Sequence, residues 1–284
     1  MAAPDTTDAL SRPRIAVPAG ACDTHMHIYD NRYPTSEKAY LFPPDRTVAD
    51  YRKVQARLGL ERTVIVQPVT YGFDNSCTMD AVADLGDTAR AVVTVPVDIP
   101  EAELDALWRK GARGFRFHQM RGGMLSWDEL KTMAGRIAGS PWHVQVQLDG
   151  LELPQYEALL ADLPTTVVLD HMGRFSEPVG LDHEAVQALL RLVRRPNVYV
   201  KMSGVYYISA TGEPDYADMR PLAAALAGAA EGRVLWGSDW PHPTKSDDEM
   251  PDDAALLDFL AAAAPDEAAR KTILVDTPAK LYGF

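Results

Sequence analysis

With 284 residues, 46% apolar and 24% charged, the chain is long enough for two small domains or one large α/β barrel with an ordinary core. Its net charge of −12 sets up a field that repels polyanions, which excludes nucleic acid and anionic membrane surfaces as natural partners. Cys22 and Cys77 are too few for a disulfide framework and no apolar run reaches the roughly 18 residues of a membrane span, so buried thiols and a cytoplasmic location are expected.

Residues 1–17 are polar and read as a mobile lead-in to a folded unit over 18–284. An apolar approach through Ala19, Ala21 and Cys22 leads into Asp23-Thr24-His25-Met26-His27. Side chains on a strand alternate faces with a period of two, so the imidazoles of His25 and His27 point the same way. A loop rich in Pro and Tyr follows over 31–46, after which Thr47 caps a predicted helix to Leu58. Residues 63–68 form a short β-branched run halted by Pro68, the pattern of a buried parallel strand. Predicted helices over 75–87 and 101–110 precede strands over 91–96 and 114–119. Ser126 and Glu129 are spaced as a capping box for a helix over 126–138, which leads to a strand over 143–148. Helix–strand pairs follow over 153–162 and 166–171, 182–193 and 198–204, and 215–230 and 234–240. Two closing helices are predicted over 251–263 and 266–276.

Eight apolar strands separated by helices imply parallel neighbours joined by right-handed crossovers. The first strand is not followed by the Gly-rich turn that a dinucleotide-binding sheet needs. A single (β/α)8 TIM barrel is therefore expected, with its active site at the C-terminal ends of the strands. Those ends carry His25 and His27, then Gln67, then Arg116 and His118 with Arg121 just beyond. Strand five ends in Gln145 and Gln147, strand six in Asp170 and His171, strand seven in Lys201 and Ser203, and strand eight in Asp239 with His242 following. So many polar groups are costly to bury unless they pair with one another or with a ligand.

His143, at a strand start, reads as a structural residue, whereas His242 and Lys201 fit packing and site-lining roles equally well. His25, His27, His171 and Asp239 suit one divalent metal of the zinc or manganese type with an open position for water. They suit a metal-free site equally: Asp239 would draw a proton from water while the histidines donate to a developing oxyanion.

The segments Asp23–His27, Arg113-Gly114-Phe115-Arg116-Phe117, Leu169-Asp170-His171-Met172-Gly173-Arg174 and Trp236-Gly237-Ser238-Asp239-Trp240-Pro241-His242-Pro243 resemble the amidohydrolase superfamily. The likeness is to its lactone-processing branch of pyrone-dicarboxylate lactonases, sulfomuconolactone hydrolases and galactarolactone isomerases, and covers residues 15–284. It implies a hydrolase that opens a small carboxylated lactone, with Asp239 as general base and His25, His27 and His171 stabilising the oxyanion directly or through one metal. A second metal is not expected, because strand four presents Arg116 and His118 and strand five ends in Gln147 where binuclear relatives carry ligands. The substrate's carboxylate would meet Arg116, with Arg121 and Arg174 as further cationic candidates, since guanidinium forks match carboxylates. Tyr40, Gln67, Gln147, Tyr206 and His242 are candidate pocket walls. Val69, Gln147 and Gly204-Val205-Tyr206-Tyr207 depart from the pyrone lactonases, the last two toward the isomerases. The alternatives are thus a sugar-acid lactone isomerase, a metal-dependent non-oxidative decarboxylase, and a non-catalytic binding barrel. A homo-oligomer is compatible with the chain.

Overall fold

The computed structural model describes residues 11–284. Eight strands follow the chain around one sheet: β1 (Cys22–Met26), β2 (Arg62–Val66), β3 (Ala89–Val93), β4 (Ala112–His118), β5 (His143–Gln147), β6 (Thr166–Leu169), β7 (Val198–Met202) and β8 (Val234–Trp236). Each pairs in parallel with the next. The last gap is closed just beyond β8, where Met26 and Trp240 form a parallel bridge and the His27 amide donates to the Trp240 carbonyl at 2.8 Å. The result is the expected (β/α)8 barrel in one domain.

Helices α1 (Val48–Leu58), α2 (Ser76–Leu85), α3 (Glu101–Arg109), α4 (Trp127–Arg136), α5 (Leu153–Ala161), α6 (Glu184–Val193) and α7 (Arg220–Ala230) follow strands one to seven. Their apolar faces meet the outward side chains of the strands, such as Phe115, Phe117, Val144 and Val146, in the main core. Ser126 caps α4 as predicted, its hydroxyl accepting from the Glu129 amide while the Glu129 carboxylate accepts from the Ser126 amide. After β8 come α8 (Asp253–Asp258), α9 (Glu267–Lys271) and α10 (Thr277–Tyr282), α9 and α10 being joined by a wider π-type turn over Thr272–Asp276. A smaller cluster, separate from the main core, collects Cys22, Val64, Val66, Val92, Val168, Tyr199 and Leu235 from the strands together with Tyr282 of α10.

The first ten residues of the expected mobile lead-in lie outside the described residues. From residue 11 onward the segment is tied down: the amides of Arg14 and Ile15 donate to Asp258 Oδ1 at 2.7 and 3.0 Å, and Arg14 Nε reaches Asp258 Oδ2 at 2.7 Å.

Three departures from the simple strand pattern bear on function. The register of β1 against β2 shifts between Asp23 and Met26. Asp23 is thereby directed to the Tyr51 hydroxyl on α1, while His25, two residues on, approaches Asp170 and Lys201 on the other side of the strand. Strands six and eight both end earlier than predicted. His171 and Asp239 stand just beyond those ends at φ 54° and 63°, a left-handed conformation outside the strand region of the backbone map.

Candidate active site

Asp239 is the point on which the other groups converge. Its Oδ1 lies 3.6 Å from His25 Nε2 and 3.4 Å from His27 Nε2, and its Oδ2 accepts a 2.6 Å hydrogen bond from the Tyr206 hydroxyl. Two backbone features hold it. Its amide donates to the His25 carbonyl at 2.7 Å, and Asp23 accepts from the amide of the neighbouring Ser238 at 2.9 Å. Gly237 makes the crossing possible, since a Cβ there would stand 2.6 Å from His25 Cβ. His171 sits behind His25, ring centroids 4.6 Å apart, with Nδ1 at 2.9 Å from Ser203 Oγ.

Burial alone would raise the Asp239 carboxyl, but the facing histidines, His171 foremost, hold it well below the usual carboxylate range. Burial pushes His25 well below the ordinary imidazole value and lowers His171 as well. Beneath them, Asp170 and Lys201 are fully buried 3.8 Å apart. Burial brings the Lys201 ammonium down to about 8, and His25 and Lys201 keep Asp170 low despite its own burial.

The donor set fits one divalent cation. The Nδ1 of His27 is 2.7 Å from the Val66 carbonyl and donates to it, so a neutral ring presents a lone pair at Nε2. His25 Nε2 is buried without a hydrogen-bond partner. One ligand atom from each of His25, His27 and Asp239 lies within 4.8 Å of the others, a spacing one divalent cation can bridge. His25, Asp170 and His171 form a second group of the same kind, but it shares His25 with the first.

Around this centre runs a cleft lined by His27, Tyr40, Arg116, Gln147, His171, Arg174 and Asp239, all of them sequence candidates. Arg116 donates to the Gln67 carbonyl at 2.7 Å and to Gln147 Oε1 at 2.9 Å, leaving its buried Nε unpartnered. Arg174 lies over the Tyr207 ring at 4.0 Å and its Nε is likewise unpartnered. Among the described residues neither arginine forms an ion pair with a carboxylate.

Other candidates stand elsewhere. Gln67 spends its amide on the Gly72 and Asp74 carbonyls and the Thr78 hydroxyl, bracing the loop after β2. His242 Nε2 is 3.0 Å from Asp253 Oδ1, and its ring packs behind Tyr206. Arg121 is exposed, stacked on Tyr40 at 4.9 Å at the mouth. Tyr206 is bound to Asp239, while its neighbour Tyr207 lines the cleft with Tyr29 and Met120. No signal in the sequence separates the two tyrosines, because they share one tight 3-10 turn over Val205–Tyr207. Gln145, on β5, joins Asp170 and Lys201 rather than the cleft.

The amidohydrolase family model matches residues 22–284. The chain is 38% identical over 284 residues to a 2-pyrone-4,6-dicarboxylate hydrolase of Comamonas testosteroni, covering 96% of this chain and 93% of the relative. It is 37% identical to a 4-sulfomuconolactone hydrolase of Rhizobium radiobacter, over 94% of this chain and 91% of that one. A D-galactarolactone isomerase of Agrobacterium fabrum is 34% identical, with 95% and 93% covered. A match that runs from the first strand to the final residue, on a barrel whose polar groups gather at the strand ends, makes this chain a member of the amidohydrolase family.

Proposed function

We propose that the protein opens a small carboxylated lactone by adding water to its carbonyl. The observation that carries this reading is one cleft shared by the buried Asp239 and two arginines, Arg116 and Arg174, that have no carboxylate partner of their own among the described residues. Cationic groups kept at the active end of a chain with net charge −12 favour an anionic ligand. Relatives named for a pyrone dicarboxylate and a sulfomuconolactone agree with that substrate class.

In this reading the substrate's carboxylate lies against Arg116, with Arg174 as the second cation. Tyr206 engages Asp239 Oδ2, so Oδ1 is the oxygen that takes the proton from the attacking water. The ring oxygen then leaves and takes a proton back from Asp239. His27, with Nδ1–H spent on Val66, stabilises an oxyanion directly only as an imidazolium; as a neutral ring it holds a cation instead. His25, His27 and Asp239 would be the ligands of such a cation, zinc or manganese by donor type, which when bound polarises the carbonyl and lowers the pKa of water. His171 lines the same cleft.

Isomerisation is the second reading, favoured by the relative named D-galactarolactone isomerase. There, Asp239 would move a proton without net addition of water. Asp239→Asn tests the assignment common to both. Turnover of carboxylated lactones is expected to fall by about 10²–10⁴, with the unfolding midpoint nearly unchanged. Wild-type turnover in that variant would remove Asp239 as the base.

A further inference from the structure

The reaction above uses neither Lys201 nor Asp170, yet both are fully buried in the barrel interior below the cleft. A buried ammonium and a buried carboxylate are costly to desolvate and persist where a specific arrangement needs them. We infer that Asp170, set beside Lys201 and oriented by Gln145, is a positioning residue that holds His25 as its Nδ1–H tautomer. The Nε2 lone pair of His25 then faces Asp239 and the cleft. This inference rests on the reading of His25 as part of the reacting site.

The hydrogen-bond count leads to this tautomer. Lys201 Nζ has three protons, and two go to the Thr24 carbonyl and Gln145 Oε1, each at 2.7 Å. Accepting from lysine fixes the Gln145 amide, whose Nε2 therefore points at Asp170 Oδ2, 3.0 Å away. Asp170 Oδ1 is buried with no hydrogen bond from any other residue or backbone group, so it is an ionic acceptor still in need of a donor. The nitrogen nearest to it is His25 Nδ1 at 3.2 Å, closer than Lys201 Nζ at 3.8 Å. A proton on Nδ1 gives that carboxylate oxygen a donor. A proton on Nε2 instead would leave Asp170 Oδ1 without one and set Nδ1, 3.4 Å from Lys201 Nζ, as an acceptor from lysine. An ionised oxygen stranded in a low-dielectric interior is the costlier choice. His27 reaches the same end by a simpler route, its Nδ1 on the Val66 carbonyl. Both rings thus offer Nε2 lone pairs to one point, and a pair of buried charges secures the second of them.

The test is nitrogen NMR on the full-length, chelator-treated protein carrying ¹⁵N-histidine, with His25 assigned by the signals lost in His25→Gln. The expected wild-type spectrum shows His25 with a protonated Nδ1 and an unprotonated Nε2. In Asp170→Asn the Nδ1–H signal of His25 is expected to weaken in favour of Nε2–H. A wild-type His25 carrying its proton on Nε2 overturns the inference, as does an Asp170→Asn protein in which the tautomer is unchanged. The wild-type spectrum decides even if the variant does not fold. Lactone turnover enters neither readout, so an inactive protein with the expected tautomer would count against the proposed function alone.

Discussion

Arg116 is buried on β4 with its Nε free of any protein partner, and it points into the same cleft as Asp239. Replacing it with Met keeps the bulk and removes the charge. A lost charge-assisted hydrogen bond costs about 1.5–3 kcal/mol, so turnover of carboxylated lactones by Arg116→Met is expected to drop about 10- to 100-fold. Neutral lactones should be little affected, and an equal loss on both would remove the anion clamp. Tyr206 acts on the base rather than on the substrate. Tyr206→Phe deletes the 2.6 Å bond to Asp239 Oδ2 and is expected to lower kcat about tenfold while KM changes little; a pure KM effect would return Tyr206 to the role of a wall. At this scale His25, His27, His171 and Asp239 were legible because strand ends in a barrel share one mouth. The roles of Gln67, His242 and Tyr206 were not, because each depends on a partner far along the chain or on the pitch of a short turn.

At the level of elements, the site hangs on how β1 and β8 meet. Gly237 lets the chain after β8 pass against His25, and a methyl group there would stand 2.6 Å from His25 Cβ and 2.8 Å from its amide nitrogen. Gly237→Ala must therefore separate the two strands or shift the His25 backbone, and overpacking of this kind costs about 1–3 kcal/mol. Loss of activity is expected to exceed what the fall in stability explains, because Asp239 is anchored to the His25 carbonyl. Retention of full activity in a destabilised Gly237→Ala protein would show that the crossing serves packing alone. Strand existence and order were readable from β-branched runs and Pro stops. Strand ends were less so: the left-handed turns at His171 and Asp239 come from tertiary contacts, and neither residue is a glycine that would announce them.

For the whole molecule, the barrel's polar interior makes stability depend on pH through two buried histidines, one at the foot of the barrel and one in the wall of the cleft. His143 is fully buried at the start of β5 with both ring nitrogens unpartnered, and burial lowers it to about 3. His118 is lowered to about 3 by burial and by the Arg116 charge. Their unfolded values are near 6.5, so both take up protons on unfolding at intermediate pH. Their contribution is complete above about 6.5 and shrinks as pH falls toward about 3, by about 1.4 kcal/mol per pH unit for each ring. Urea titrations at pH 7 and pH 5 should show His143→Gln losing about 2 kcal/mol less than wild type over that interval. An identical loss would mean that His143 finds a partner in the native state.

Hydrolysis at Asp239 adds water to the lactone, whereas isomerisation only moves a proton within it. The direct measurement is a turnover of a carboxylated lactone in ¹⁸O-labelled water, read by mass spectrometry of the product. Hydrolysis predicts an opened acid heavier than the substrate by one labelled water, with the label in the new carboxylate. A product of the same mass as the substrate, free of label, would contradict it.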